Sequence, residues 1–356
     1  MMSDFLHRPE GHFDFSAIAP FFANKRVFIT GAAGSVGSAL SLKLAELGCA
    51  HLAMLDQDDH GLIDIVEAVK RAAPGLATTD ILCDIRDPGR LEAWMRRIEP
   101  DVVIHAAALK HVHVGERHSA EYLITNLIGV RNAAMAASKA GASQFVLISS
   151  DKAAAPTCVM GATKRLAELF LFGFPLENMS PMATKSVRFG NVLGSQGSVL
   201  PRFAAQIEAG GPLEVTHPDM ERFFMSPDEA VGLILSVAAV EQEPGAYFME
   251  MGEPISILEL GHDLIAASGK QIDIKFTGLR PGEKLHEQLA DEHDLVSPST
   301  TENVFRVTPA SLDAYMTSAD IAHLETAART MENPMVRQRV FAFLSERLQT
   351  EERAVG

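Results

Sequence analysis

Cysteine is scarce in this chain. Cys49, Cys83 and Cys158 are the only three in 356 residues, an odd number without metal-ligand spacing. That excludes a scaffold built on disulfides and fits reduced thiols in a cytoplasmic protein. Basic charge is short as well: 31 Lys and Arg face 46 Asp and Glu, for a formal net charge of -15. Gripping a nucleic-acid backbone needs clustered cations, so nucleic-acid binding is set aside. A small anionic substrate stays open, because a few arginines in a cleft are enough for it. No apolar run approaches the roughly eighteen residues of a membrane span, and the N-terminus lacks the basic and apolar regions of a secretory signal. The expectation is a cytoplasmic chain without a membrane span. The 13 histidines show no H-E-x-x-H or similar spacing, so no metal is expected. Internal repeats and low-complexity segments are also missing.

What is present is a regular alternation of strand and helix signals. Arg26–Thr30, His51–Leu55, Asp80–Cys83, Val102–His105, Gln144–Ser149 and Lys185–Phe189 read as strands. Ser38–Leu47, Leu62–Arg71, Pro88–Arg97, Ala120–Ala140 and Val159–Phe172 read as helices. Phe15, Ile18, Phe21 and Phe22 recur at helical spacing in an N-terminal extension over 1–24. This alternation predicts an α/β fold with a doubly wound parallel sheet and right-handed crossovers, over 25–190. From 191 to 333 the pattern is less regular and richer in Pro and Gly. It reads as a smaller substrate-binding lobe interleaved with the first domain. A solvent-facing helix from Pro334 to Arg353 is expected within 334–356, with proline in its first turn.

Gly31-Ala-Ala-Gly34-Ser35-Val36-Gly37 follows the first strand and opens the next helix. Glycines there allow a tight turn and close approach of a pyrophosphate, which meets unpaired N–H groups at the helix start. The spacing G-x-x-G-x-x-G suits a dinucleotide-binding, Rossmann-type turn. Asp56 lies at the end of the second strand, nineteen residues after Gly37. A carboxylate there accepts from the adenosine ribose and repels a 2′-phosphate, and no Arg or Lys follows it in Gln57-Asp58-Asp59-His60. NAD is therefore expected rather than NADP. Gly31, Asp56, Asp84, His105 and Ser149-Ser150 all fall at strand ends on one expected rim.

Ser150-Asp151-Lys152 is followed by Met160-Gly-Ala-Thr-Lys164. The lysine of a Tyr-x-x-x-Lys pair is there, but Met160 stands where the tyrosine would. A thioether cannot take a proton at neutral pH, so Met160 is read as packing. Asp151 and Lys152 set an acid beside an amine. Eliminating water needs such a pair, one group to take a proton from carbon and one to give a proton to the departing hydroxyl. Each would need a shifted pKa, with burial lowering the lysine and raising the aspartate, and Lys164 discouraging charge on Lys152.

Together Gly31–Gly37, His105-Ala106-Ala107-Ala108, Ser149–Lys152, Met160–Lys164, Arg188-Phe-Gly-Asn191 and Leu279-Arg-Pro-Gly-Glu-Lys284 resemble one family. It is the extended short-chain dehydrogenases acting on nucleotide sugars, and within them the UDP-N-acetylglucosamine 4,6-dehydratases of polysaccharide biosynthesis. The resemblance covers about residues 4 to 290, and Met160 is similar to the configuration-retaining type. Asp4-Phe-Leu-His-Arg8 resembles the linker between the membrane half and the catalytic half of long members. The chain is thus a natural short form or an excised catalytic domain.

The resemblance implies bound NAD and a UDP-sugar substrate. Hydride leaves C4 for the cofactor, Lys152 takes the C5 proton, Asp151 gives a proton to the C6 hydroxyl, and hydride returns to C6. It places Ser150 near the C4 oxygen and gives Lys164 the nicotinamide ribose. The base for the C4 hydroxyl stays open among Lys164, Asp151 and water. Asp84-Ile85 resembles the adenine contact, with Ala106 and Ala107 beside the cofactor. Arg202, Arg222 and Arg280 resemble diphosphate and uridine contacts, with Asn191 and Glu283 as hydrogen-bond partners. Lys110-His111 resembles a loop near the sugar, although His113 stands where the family has proline. A homo-oligomer is expected, paired through the helices near Ala120–Ala140 and Val159–Phe172. The rival readings are a nucleotide-sugar C4 epimerase or oxidoreductase, and a silent NAD-sensing regulator suggested by Met160.

Overall fold

The computed structural model describes residues 5–292 and 294–349. Among these, nine strands form the central sheet: β1 (Arg26–Thr30), β2 (His51–Asp56), β3 (Ala77–Leu82), β4 (Val102–His105), β5 (Gln144–Ile148), β6 (Ala183–Val187), β7 (Gly245–Met249), β8 (Asp294–Pro298) and β9 (Val304–Pro309). Their order is β8-β9-β7-β6-β5-β4-β1-β2-β3. The first seven run parallel, and β9 and β8 close one edge as an antiparallel pair. Central strands are covered on both faces, which is why they read as unbroken apolar runs: Val27, Phe28 and Ile29 are fully buried. The order reverses between β1 and β4. Ligands sit beyond the strand ends at such a switch point.

The main helices are α1 (Phe15–Phe22), α2 (Ser35–Glu46), α3 (Asp59–Ala72), α4 (Pro88–Ile98), α5 (Ser119–Leu123), α6 (Gly129–Lys139), α7 (Val159–Asn178), α8 (Val199–Glu208), α9 (Pro227–Ala239), α10 (Ile257–Ser268), α11 (Ser318–Thr330) and α12 (Asn333–Gln349). A separate apolar cluster lies between α8 and α10, built on Leu193, Phe203, Ile207, Leu213, Val215 and Leu260. Between the segments of this cluster and after it the chain returns to the main sheet as β7, β8 and β9.

Three sequence expectations need correction. The helix after the glycine turn starts at Ser35, not Ser38, because Gly34 already holds the extended backbone of an N-cap. The expected helix over Ala120–Ala140 is broken by a π-turn at Ile124–Ile128. There Asn126 turns inward, accepting from the Leu109 N–H at 2.9 Å and donating to the Leu109 carbonyl at 3.0 Å. π-turns recur near functional sites, and this one anchors the loop beyond β4. The last helix is not simply solvent-facing: Val336, Val340, Phe343 and Leu344 form a buried stripe. Residues 350–353 of that expected helix lie outside the described residues, as does Asp4.

The same stripe bears on assembly. Every residue of α7 from Val159 to Phe174 is buried within this one chain. The apolar side chains of α11 and α12, Ile321, Leu324, Val336 and Val340 among them, share its cluster. Arg131 on α6 pairs with Glu325 on α11 at 2.6 Å. Both helices named for pairing with a second copy thus also pack against the chain's own last two helices.

Candidate active site

The glycine turn is shaped by its backbone. Gly31 has φ +71°, and a Cβ there would lie 2.5 Å from the Ala107 nitrogen. A Cβ on Gly37 would lie 2.0 Å from the Gly31 carbonyl oxygen. Only glycine lets strand, turn and helix close up this way. Gly34 caps α2 without a side-chain hydrogen bond, so the first N–H groups of the helix are left for a ligand. Asp56 organises the turn: Oδ2 accepts from Ala33 N at 2.9 Å, and Oδ1 from Gln57 N at 2.8 Å and Asp58 N at 3.1 Å. Gly31, Gly34, Asp56, Asp84, Ile85, Ala106 and Ala107 line one groove, joined by Thr125 of the π-turn. Arg86 grips Asp84 at 2.7 Å; burial would raise that carboxyl, but the guanidinium holds it below the usual range. Ser35 and Val36 face an adjoining cleft instead, and Ser35 Oγ accepts from Gln196 N at 3.0 Å. Gly37 sits beneath the turn.

Lys164, expected at the cofactor, lines neither this groove nor the cavity described below. It is 5% exposed and donates to the Ile148 carbonyl at 2.7 Å. Burial, partly opposed by Glu168, brings its pKa down to about 8. His105, expected on the rim, is fully buried below it and held at 2.9 Å from Thr30 Oγ1. Burial and then the Lys164 charge push it down to about 3, so the imidazole is neutral. Met160 packs among Tyr122, Cys158 and Val159 and is 5% exposed.

The acid–amine pair takes a form the sequence did not foretell. Asp151 is 1% exposed, and its Oδ1 accepts from Ser150 Oγ (2.8 Å), Lys152 N (2.8 Å) and Lys152 Nζ (3.0 Å). Its Oδ2 is buried without a partner. Lys152 Nζ also stands 3.5 Å from Glu287 Oε1. Burial pulls Lys152 down, but the Asp151 and Glu287 carboxylates outweigh it and hold the amine above the ordinary lysine range. The resting lysine is thus charged, contrary to the neutral amine expected. Beside the site, the fully enclosed amine with a lowered pKa is Lys164; Lys185, held by the Val237 and Glu241 carbonyls, is brought down likewise. Nor does Lys164 act on Lys152; the cation that opposes its charge is Arg222.

Lys152 opens into a cavity of about 510 Å³, within the usual range for a small-molecule site. Lys110, Asn191, Arg202, Arg222, Arg280 and Glu283, all expected from the sequence, line this one cavity. Lys110 Nζ donates to the Gln196 carbonyl at 2.5 Å, joining the loops on either side of the groove. Arg202 pairs with Glu214 at 2.6 Å. Glu283 Oε2 accepts from Arg280 N at 3.0 Å and so fixes the turn that carries both. His113, Glu214 and Glu287 complete much of the wall. Asp151, Ser150 and Met160 do not line it.

Two acidic residues escaped the sequence reading. Glu287 follows the Leu279–Lys284 motif by three positions, and only its fold-back onto Lys152 gives it meaning. Glu168 lies one helical turn after Lys164, which was a usable signal. Its Oε1 accepts from Ser149 Oγ at 2.6 Å, and Arg188 clamps it at 2.8 Å. Arg188 and Arg165 reach on to Asp294 at 3.0 and 2.5 Å, and all four side chains are fully buried. This network ties the edge strand β8 to α7.

A doubly wound, mostly parallel sheet with a glycine turn at its switch point defines a Rossmann-type α/β class. Residues 27–309 match the family model described as polysaccharide biosynthesis protein. The chain belongs to this family of extended short-chain dehydrogenases. The capsular polysaccharide biosynthesis protein CapD of Staphylococcus aureus is 37% identical over 309 residues, 86% of this chain and 51% of that protein. The chain thus spans about half the length of that relative. A UDP-N-acetylglucosamine 4,6-dehydratase (inverting) of Campylobacter jejuni is 32% identical over 291 residues, 81% of this chain and 84% of its own length. A UDP-glucose 4-epimerase of Rickettsia canadensis is 32% identical over 291 residues, 80% and 83% respectively. Among solved structures, Pen from Bacillus thuringiensis is similar, with TM-score 0.74 and 28% identity over 82% of this chain and 90% of that one. No helix among the described residues is long and apolar enough to cross a membrane.

Proposed function

We propose that this chain is an NAD-dependent hydro-lyase that converts UDP-N-acetylglucosamine to the UDP-2-acetamido-2,6-dideoxy-4-keto-hexose. One observation carries the reading: Lys152 faces the cavity between two buried carboxyl groups, while the place of a hydroxyl-deprotonating tyrosine is filled by packed Met160. That arrangement suits proton transfer at C5 and C6. An epimerase has no use for proton transfer at C5 and C6, whereas a base for the C4 hydroxyl is needed by both reactions.

The residues present fit NAD: a turn that any Cβ would block, an uncapped helix start, and Asp56 at the ribose position. When bound, NAD would supply hydride acceptance from C4 and hydride return to C6. Gly31, Gly34 and the start of α2 would hold its pyrophosphate, and Lys164 the nicotinamide ribose. Arg202, Arg222 and Arg280 would meet the substrate diphosphate, each guanidinium offering a planar fork to phosphate oxygens. Once C4 is a ketone, the C5 proton becomes acidic; Lys152 hands its ammonium proton through Asp151 to the departing C6 hydroxyl and, now neutral, removes the C5 proton. The same ammonium, its hydrogens exchanged with solvent, returns a proton on the same face, which retains the C5 configuration.

The test is incubation of the purified protein with UDP-N-acetylglucosamine and mass spectrometry of the product. Loss of one water without net NADH is expected. A product of unchanged mass, epimeric at C4, would move the chain to the epimerases. Tight NAD binding with no product from any UDP-sugar would leave the silent sensor.

A further inference from the structure

A second cavity, of about 740 Å³, lies behind the turn that carries Arg280. Arg117, Arg280 and Arg337 line it together with His113, and Glu116 is the one carboxylate among them. Three guanidiniums against one carboxylate leave two positive charges in excess, in a chain whose formal net charge is -15. Acidic partners are plentiful in such a chain. Yet the side chains of Arg117 and Arg280 make no hydrogen bond or ion pair among the described residues. Arg337, on α12, is fixed in place: its Nε donates to Glu116 Oε2 at 2.7 Å, and its guanidinium carbon lies 4.8 Å from the Phe341 ring centre. Its two terminal nitrogens stay unpaired among the described residues. Glu116 has both oxygens engaged, since Oε1 accepts from Val159 N at 2.7 Å. The wall toward the substrate cavity is closely packed. Gly282 has φ +82°, and a Cβ there would lie 2.9 Å from Cys158 Cβ and 3.1 Å from Glu116 Cγ. Arg280, Gly282 and His113 line both cavities, whereas Arg117 and Arg337 line only the second.

We propose that this cavity is a second anion site, separate from the substrate cavity, and that its ligand carries a diphosphate group. Guanidinium forks match phosphate oxygens in plane, and a diphosphate offers oxygens and charge for several forks at once. A monocarboxylate would offset only one of the two excess charges. A space of about 740 Å³ holds a diphosphate with or without a nucleoside attached. Inorganic diphosphate and a nucleoside diphosphate thus share the chemistry that the cavity recognises. With a nucleotide sugar in the substrate cavity Arg280 is shared, and Arg117, Arg337 and His113 remain to the second anion. The second site does not depend on the dehydratase reading.

The experiment is titration calorimetry of the full chain with NAD in excess, so that the dinucleotide groove is filled. UDP is titrated first, and inorganic pyrophosphate is then titrated into the UDP-saturated protein. Both steps are repeated on Arg117→Gln/Arg337→Gln. The unaltered chain should bind two diphosphate ligands in all. Two equivalents of UDP identify a nucleoside diphosphate as the occupant; one of UDP followed by one of pyrophosphate identifies the inorganic ion. In either case the double variant should bind the second ligand at least ~10-fold more weakly for each arginine lost, the scale of a hydrogen bond to a charged group. It should keep the first UDP, which reports an intact fold. Arg117→Gln alone, which has no side-chain partner to lose among the described residues, should weaken the second ligand by ~10-fold and decides the matter where the double variant fails to fold. A single ligand in all, or a second one bound equally by variant and unaltered chain, would overturn the site. If UDP does not bind at all, the nucleotide-sugar reading fails, while an equivalent of pyrophosphate lost with the two arginines would still place an anion in the second cavity.

Discussion

Lys164 and Lys185, not Lys152, are the lysines that burial brings down to about 8, and replacing Lys164 gives a quantitative check. Burial brings its pKa from the ordinary 10.5 to about 8. The unfolded chain therefore binds more protons between those two values. Stability should rise with pH across that window, and the penalty for the buried charge should be fully present below it. With 1.36 kcal/mol per unit, the penalty is about 3 kcal/mol near pH 7 and falls to about 1 kcal/mol near pH 9.5. Lys164→Met removes this titration and leaves the other groups in place. Urea unfolding of both proteins at the two pH values isolates the difference. The unaltered protein should gain about 2 kcal/mol on the variant between pH 7 and 9.5. Parallel curves, differing by under about 0.5 kcal/mol, would refute the buried-lysine reasoning.

Three other outcomes follow from the same geometry. Asp151→Asn removes the charge that holds Lys152 as an ammonium. Dehydration should fall by ~100-fold or more, and the acidic limb of its rate profile should move to lower pH; an unmoved limb would count against the pairing. Asp294→Ala strips a partner from fully buried Arg165 and Arg188. It should cost about 3–5 kcal/mol by urea titration, whereas a surface ion pair would cost under about 1 kcal/mol. Arg280→Ala should raise KM for the UDP-sugar by about 10- to 100-fold with kcat little changed, the mark of lost ground-state binding to an anion.

Local geometry was readable in the sequence. The glycine spacing anticipated a turn whose backbone admits no Cβ at Gly31 or Gly37, and the strand-end positions anticipated the groove lined by Asp56, Asp84 and Ala106. The six substrate-side residues drawn from short motifs converge on one cavity. What depends on distant pairing stayed hidden. The charge of Lys152 is set partly by Glu287, on a loop without regular structure that no periodicity could place. The buried network of Glu168, Arg188, Arg165 and Asp294 joins a helix, an interior strand and an edge strand, each of which reads alone as an ordinary charged position. The stripe on α12 was visible as Val336, Val340, Phe343 and Leu344, but its many polar neighbours made it read as surface.

Proton NMR of the product formed from UDP-N-acetylglucosamine in D2O tests the proton chemistry at Lys152 most directly. A C6 methyl group that carries the original C4 hydrogen, deuterium at C5 and unchanged C5 configuration are expected. A product that keeps its C6 hydroxyl, or one inverted at C5, would contradict elimination and reprotonation by a single lysine on one face.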